Sequence, residues 1–132
     1  MGFVRFQDLE VYRLAEEVAD DVWEIVRTWD GLARDTVGKQ LIRAADSIGA
    51  NIAEGSGRAS SGDTRRFLRI ARGSLMETQH WLRRAFRRKL LTPDQTLALQ
   101  ASMDHLPLKL NALLKSIGKN RLSTADSRAN PK

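Results

Sequence analysis

Apolar residues recur along this chain at steps of three and four, the spacing that gathers them on one face of an α-helix. The first stripe predicts helix one over residues 9–29, with an inward face formed by Val11, Leu14, Val18, Val22, Ile25 and Trp29. Asp35 or Thr36 is expected to cap helix two, and Gly55 to stop it. The predicted inward face of helix two consists of Val37, Leu41, Ala44, Ala45, Ile48 and Ile52.

Two more helices are predicted in the second half. A Gly- and Ser-rich loop at residues 55–62 precedes helix three, which Ser61 or Asp63 caps and which runs to about Leu90. Its predicted inward face is Phe67, Ile70, Ala71, Ser74, Thr78, Trp81, Leu82 and Ala85. Helix four begins at a capping box of Thr92 and Gln95, with Pro93 at its first position. Its stripe is Leu99, Met103, Leu106, Leu110, Leu113 and Ile117, and Pro107 predicts a bend or break at residues 103–107.

Four amphipathic helices with short connections predict an all-α, up-down-up-down four-helix bundle over residues 1–118. The polar residues 119–132 are expected to form a disordered tail. Helix one also carries a second apolar row, Tyr12, Ala19, Trp23 and Val26. This row either widens the core contact or forms an oligomer interface, and a large aromatic beside charged residues favours the interface.

Composition excludes several classes of protein. The chain has 132 residues, enough for one domain, and it contains no Cys, which excludes disulfide scaffolds, thiolate zinc sites and cysteine nucleophiles. No apolar run has the length of a signal peptide or a membrane span, so we expect a cytoplasmic protein without a membrane partner. The net charge is +6. Residues 61–90 hold nine basic and two acidic side chains, whereas residues 1–34 hold four and eight.

The concentrated basic charge predicts a ridge on helix three. Five arginines share one helical face opposite the predicted core: Arg65, Arg69, Arg72, Arg83 and Arg87. Guanidinium groups spaced along a helix suit the phosphates of a nucleic-acid backbone, RNA or DNA. The alternative is a solvated face that pairs with the acidic side of helix one. No base-reading motif accompanies the ridge.

A polar stripe follows helix two at steps of three and four: Arg43, Ser47, Asn51, Glu54 and Arg58. Glu54 could act as a general base, but no nucleophile lies near it in sequence. We therefore interpret the stripe as a hydrogen-bonded structural network, in which replacing Glu54 leaves buried partners unsatisfied at a cost of about 1–3 kcal/mol. In helix three, Glu77 and His80 have the spacing of half a di-iron site, but the other half is missing, which favours a surface histidine and no metal.

Helices two and three carry residues that resemble a known family. The segment Asn51-Ile52-Ala53-Glu54-Gly55 followed by Arg58, and the run FLxIAxGSLxE from Phe67 to Glu77, are specific together. They resemble the small four-helix proteins encoded within intervening sequences of bacterial 23S ribosomal RNA genes, over roughly residues 6–90. The resemblance implies a ring-like homopentamer without established enzymatic activity. The fold of this family is also similar to that of the basic pentameric accessory protein of diversity-generating retroelements, which binds nucleic acid and a reverse transcriptase.

These observations predict a non-catalytic, oligomeric helical scaffold that binds nucleic-acid backbones through the ridge. No cofactor and no small-molecule substrate are expected. One alternative is an interaction module whose basic face docks an acidic protein. Another is a hydrolase or metal enzyme that uses Glu54, Glu77 and His80, which would need a cleft of converging titratable groups.

Overall fold

A computed structural model describes the backbone of residues 5–129 and the side chains of residues 5–117. Four long helices account for most of it, and the described part contains no strand. The helices are α1 (Glu10–Val26), α2 (Lys39–Ser56), α3 (Ser61–Arg87) and α4 (Pro93–Ala129). A 3₁₀ turn at Phe6–Asp8 precedes α1. The all-α prediction is therefore confirmed. The disorder expected of residues 119–132 stays a prediction, and the backbone of α4 continues as helix to Ala129.

The four helices pack around one core. α1 packs on α2 and α4, and α3 also packs on α2 and α4, so α1 and α3 lie across the core from each other. The stripe predicted for α2 is buried completely, and the stripe predicted for helix one is buried except for the half-buried Leu14. Apolar burial of this kind is the main stabilising contribution to such a fold.

The inward face of α3 is rotated from the predicted one. Leu68 and Leu75 are each 1% exposed, whereas Ile70 is 42% exposed, which corrects its predicted place in the core. The reason is that α2 and α4 flank α3 on two sides and cover residues that one stripe does not include. Thr78 is fully buried, and its hydroxyl donates to the carbonyl of Ser74 at 2.8 Å.

The connection between α1 and α2 differs from the expected loop and cap. A short helical turn at Gly31–Ala33 and a π-helical turn at Arg34–Gly38 lead directly into α2. Neither Asp35 nor Thr36 caps the helix, because the chain is already helical there, and the Thr36 hydroxyl donates back to the Leu32 carbonyl at 2.7 Å. The chain is therefore helical from Gly31 into α2, where a loop was expected.

Two helix starts depend on side-chain caps. The cap of α3 is Ser60, one residue before Ser61 and three before Asp63, the two caps predicted, and its hydroxyl accepts from the amide of Asp63 at 3.1 Å. The capping box of α4 is confirmed, since Thr92 and Gln95 exchange hydrogen bonds of 3.0 and 3.1 Å. α4 continues as α-helix through Pro107, so the predicted break is wrong.

α3 ends in a left-handed residue that is not glycine. The residue is Lys89, whose φ is 62°. The backbone amide of Leu90 donates to the carbonyl of Ala85, and the backbone amide of Lys89 donates to the carbonyl of Phe86. This pair of bonds is a Schellman motif, which satisfies carbonyls that the helix end would leave open. It ends α3 at Arg87, three residues before the predicted end.

Glycines allow close approach at two positions. A Cβ on Gly38 would lie 2.6 Å from Cγ1 of the buried Val26, and a Cβ on Gly55 would lie 3.0 Å from Cβ of Phe67. Gly55 therefore brings α2 and α3 together inside the helix and does not stop it. Gly73 has open space around it, so its missing side chain does not serve close packing between helices.

Replacing Gly38 with Ala should destabilise the protein by about 1–3 kcal/mol, because the β-branched Val26 cannot move out of a filled core. Thermal or urea unfolding followed by circular dichroism measures the change. The matched control is Gly73→Ala, which should be neutral or stabilising by up to about 1 kcal/mol in a helix with open space. Equal stability of the two variants would contradict the close contact at Gly38.

Candidate functional site

The arginine ridge of α3 faces outward along most of its length. Arg69, Arg72, Arg83 and Arg87 are exposed, and Arg65 is half-buried. The Nε of Arg65 is buried without a hydrogen-bond partner among the described residues. Arg72 donates to Oδ1 of Asn111 on α4 at 3.3 Å. The ridge therefore presents four exposed guanidinium groups on one helix.

No carboxylate of the described residues lies within 4.0 Å of any ridge arginine. The acidic side of α1 is directed elsewhere: Glu24 pairs with Arg27 at 2.9 Å, and Glu10 pairs with Lys109 of α4 at 3.0 Å. Since α1 and α3 lie across the core from each other, the alternative of pairing the ridge with α1 of the same chain is wrong. The positive charge of the ridge is thus open to an external partner.

Part of the polar stripe of α2 joins α2 to α3. The side-chain Nδ2 of Asn51 donates to the backbone carbonyl of Ser47 at 2.8 Å and to the Ser47 hydroxyl at 3.0 Å. The Ser47 hydroxyl also shares a hydrogen bond of 2.8 Å with the Ser74 hydroxyl of α3. These groups are half-buried, so each satisfies polar atoms that would otherwise be costly.

The remaining members of the stripe are exposed, which corrects the expected cost of replacing Glu54. Its carboxylate pairs with Arg58, and the two side chains are 53% and 38% exposed. No buried partner is left behind when such a pair is removed, so the cost falls to the scale of surface ion pairs, about 0.2–1 kcal/mol. Arg43 is exposed as well.

Arg58 belongs to a cluster at the turn between α2 and α3. Its guanidinium lies 4.6 Å from the centre of the Phe67 ring, and that of Arg66 lies 4.4 Å from it. Asp63 accepts from Arg66 at 2.9 Å, and the Thr64 hydroxyl donates to the Gly55 carbonyl at 3.0 Å. Cation–π contacts and charged hydrogen bonds therefore hold the turn.

The second apolar row of α1 is divided between surface and core. Trp23 is 54% exposed, whereas Val26 is fully buried against Gly38, so Val26 leaves the predicted interface. Tyr12 and Ala19 are half-buried and line a cleft between α1 and α2. The cleft has small residues along it, and its carboxylates are Glu16, Asp20 and Asp46.

The acidic cleft alters the titration of its own groups. Burial raises the pKa of the Asp46 carboxyl, and the nearby Asp20 carboxylate raises it further. The same two causes raise the pKa of Asp21, which follows Asp20 in α1 but is not among the residues that line the cleft. For Tyr12, burial and the Glu16 carboxylate raise the pKa of the phenol. Negative charge is thus concentrated at this surface, and no arginine is among the described residues that line the cleft.

The Glu77 and His80 spacing does not gather metal ligands. Glu77 accepts from the indole nitrogen of Trp81 at 3.2 Å, and the ring of His80 meets that indole edge-on at 4.8 Å. Within the described residues, no group of three or more His, Asp or Glu side chains could hold a metal ion. Among the same residues, no helix has the length and apolar run that a membrane crossing requires.

These features define a small all-α protein whose four helices pack around one core and whose third helix is strongly basic. The chain belongs to the 23S rRNA-intervening sequence protein family, whose sequence profile matches residues 7–112. This confirms the resemblance and extends it beyond residues 6–90 into α4.

The chain is similar over most of its length to a solved structure of another protein. This is the crystal structure of a protein with unknown function from the S23 ribosomal protein family of Bacteroides thetaiotaomicron VPI-5482. The TM-score is 0.71 at 26% sequence identity, covering 80% of this chain and 95% of that one. Among curated proteins, no sequence matches this chain.

The raised pKa of Asp46 predicts that its ionised carboxylate lowers the stability of the folded protein in a pH-dependent way. Between the ordinary value of 3.8 and the raised one, the folded protein binds more protons than the unfolded chain, so stability falls as pH rises through that window. Asp46→Asn should therefore stabilise the protein at neutral pH by at most about 1 kcal/mol, and the gain should vanish below pH 3.8. Thermal unfolding across pH measures this difference.

Asp20→Asn serves as the companion variant, because removing the neighbouring charge should lower the pKa of Asp46. A carbon-13 NMR titration of the Asp46 carboxyl reports that pKa directly. A wild-type carboxyl that titrates at or below 3.8 would contradict the effect of the cleft.

Proposed function

We propose that this protein is a non-catalytic, oligomeric helical scaffold that binds nucleic-acid backbones through the arginine ridge of α3. The observation that carries the proposal is the set of four exposed arginines on one helix with no carboxylate near them among the described residues. Arginine forks match phosphate oxygens, and a spaced row of them follows a charged backbone without reading its sequence.

Two further facts support the proposal. The positive charge is local, since residues 61–90 hold nine basic and two acidic side chains, and local charge steers polyanions to one face. A reaction would need converging perturbed groups, but of the two carboxyls with a raised pKa only Asp46 lines the α1–α2 cleft, and Asp21 is not among its lining residues.

The proposed subunit is an up-down-up-down bundle. The contacts between α2 and α3 support antiparallel packing. Gly55 lies against Phe67, whereas Ser47, earlier on α2, reaches Ser74, later on α3. Short connections favour the same arrangement, because a helix that turns back at once packs beside its predecessor.

We place self-association at the exposed Trp23 and the adjoining cleft of α1 and α2. A tryptophan that is half in solvent and next to small residues is typical of an anchor that fills a pocket on a partner subunit. A ring arises when one surface meets a different surface on the next copy and the rotation closes. The proposed homopentamer is an assembly of this kind.

Changing Arg69 and Arg87 to Glu should weaken binding to RNA and DNA of any sequence alike, since both arginines are exposed and contact phosphates in the proposal. For four contacts per subunit, counterion release predicts a log–log salt slope near about −3.6 on duplex DNA. Binding should thus fall by about 150-fold from about 50 to 200 mM salt. Fluorescence anisotropy measures both quantities.

The matched control is Arg13→Glu with Arg27→Glu, which changes the charge equally on α1 and its C-cap residue, and α1 lies across the core from α3. This control should retain most of the binding and bind more tightly than the ridge variant at every salt concentration. If the wild type retains neither RNA nor DNA at low salt, the nucleic-acid function is wrong, and an acidic protein becomes the partner to seek.

Trp23→Glu should lower the mass measured by light scattering while circular dichroism stays helical, because the side chain is 54% exposed and a charge there disrupts only contacts between subunits. Leu97→Glu is the control, an equally polar change at a residue that is 73% exposed on α4. A wild type that is monomeric at tens of micromolar would show the self-association proposal to be wrong.

A further inference from the structure

Beside the ridge, α3 and α4 enclose an open groove of about 430 Å³. Its less exposed lining is mainly apolar and includes Leu82, Leu99 and Met103, with Thr96 as its polar member. Small-molecule sites of about 300–1000 Å³ share this composition of apolar walls with a few polar groups. The groove is therefore large enough for one planar ring system.

Phe86 has an unusual place in this groove. It lines the groove and yet is 56% exposed, so part of the ring has no protein covering it. An exposed Phe on a helix of a small protein loses the benefit of burial unless something packs against it. Arg83 lines the same groove, and Arg87 follows Phe86 directly in the ridge.

The polar groups of the groove suit a base better than a phosphate. Gln79 and Gln100 offer amide donors and acceptors, and the carboxylate of Asp104 would repel a phosphate but can accept from a ring N–H or an exocyclic amine of a base. The phosphates would instead lie on the arginines at the side. Aromatic surface and adjacent cationic groups are the combination that binds single-stranded nucleic acid, where bases are free to leave the stack.

We propose that the α3–α4 groove receives an unstacked base of single-stranded nucleic acid, with Phe86 stacking on the base and Arg83 and Arg87 holding the flanking phosphates. The inference rests on the proposed function. It narrows the preferred ligand of the protein from any nucleic acid to single strands. A duplex would have to give up pairing and stacking to reach the groove, which costs a few kcal/mol and disfavours it.

The experiment compares labelled oligo(U) RNA and oligo(dT) single strands with a duplex of the same length by fluorescence anisotropy. Wild-type protein should bind the single strands more tightly. Phe86→Ala should weaken that binding by about 5- to 150-fold, the range that one stacked base contributes, and leave duplex binding unchanged. Phe86→Trp should restore it, and Leu97→Ala, an exposed apolar control outside the groove, should have no effect.

An abasic single strand tests the same contact on the wild-type protein, so the result does not depend on the folding of a variant. It keeps the phosphates but has no base, and wild type should bind it as weakly as Phe86→Ala binds the intact strand. The RNA and DNA arms decide which nucleic acid the groove accepts.

Three outcomes would overturn the groove proposal. The first is that Phe86→Ala binds single strands as tightly as wild type. The second is that abasic and intact strands bind equally. If the variant with Arg69 and Arg87 changed to Glu still loses binding in either of these two cases, the ridge function stands and only the groove proposal fails. The third is that no strand binds at all, which defeats the ridge and the groove together. A groove filled by a second copy of the chain would appear as a fall in mass for Phe86→Ala without any change in nucleic-acid binding.

Discussion

The close packing of α2 on α3 is the constraint on which the other features depend. It needs the missing side chain of Gly55, where an added Cβ would lie 3.0 Å from Phe67 and 3.2 Å from the Thr64 carbonyl. It is fixed in register by the hydrogen bond between Ser47 and Ser74. Because this contact turns the Leu68 and Leu75 side of α3 inward, the arginines on the opposite side must face outward. The basic surface is therefore a consequence of how two helices meet.

The residues that carry the family resemblance are largely those that build this contact. Asn51 orders the Ser47 hydroxyl, Gly55 permits the approach, and Arg58 holds the turn against Phe67. Glu54 pairs with Arg58 at the surface, which accounts for its place in the motif without assigning it any chemistry. The ridge arginines lie outside the motif residues. Family membership thus explains the framework, and the partner has to be argued from the surface charge of this chain.

Features governed by neighbours in the chain could be predicted from the sequence, and features governed by other helices could not. The stripes of α1 and α2 and the Thr92 capping box depend on local spacing, and the structure confirms them almost entirely. The exposure of Ile70 and the burial of Val26 depend on which helices lie on either side. In the candidate site, the outward direction of most of the ridge followed from the helical period. The absence of ion pairs between the ridge and the described acidic residues of α1 could not be predicted in this way, because it depends on α1 and α3 lying across the core from each other.

This arrangement separates charge within the subunit. The Asp20 and Asp46 cleft lies between α1 and α2, while the ridge lies on α3, with the core between α1 and α3. The two charged surfaces cannot neutralise each other inside one chain, so each is available to something outside it. In the proposed ring every subunit contributes one ridge, and linked binding sites convert later contacts into intramolecular ones with a high effective concentration. A ridge of four arginines that holds a strand weakly in one subunit would then hold it firmly in the assembly, provided that the strand can reach the next ridge.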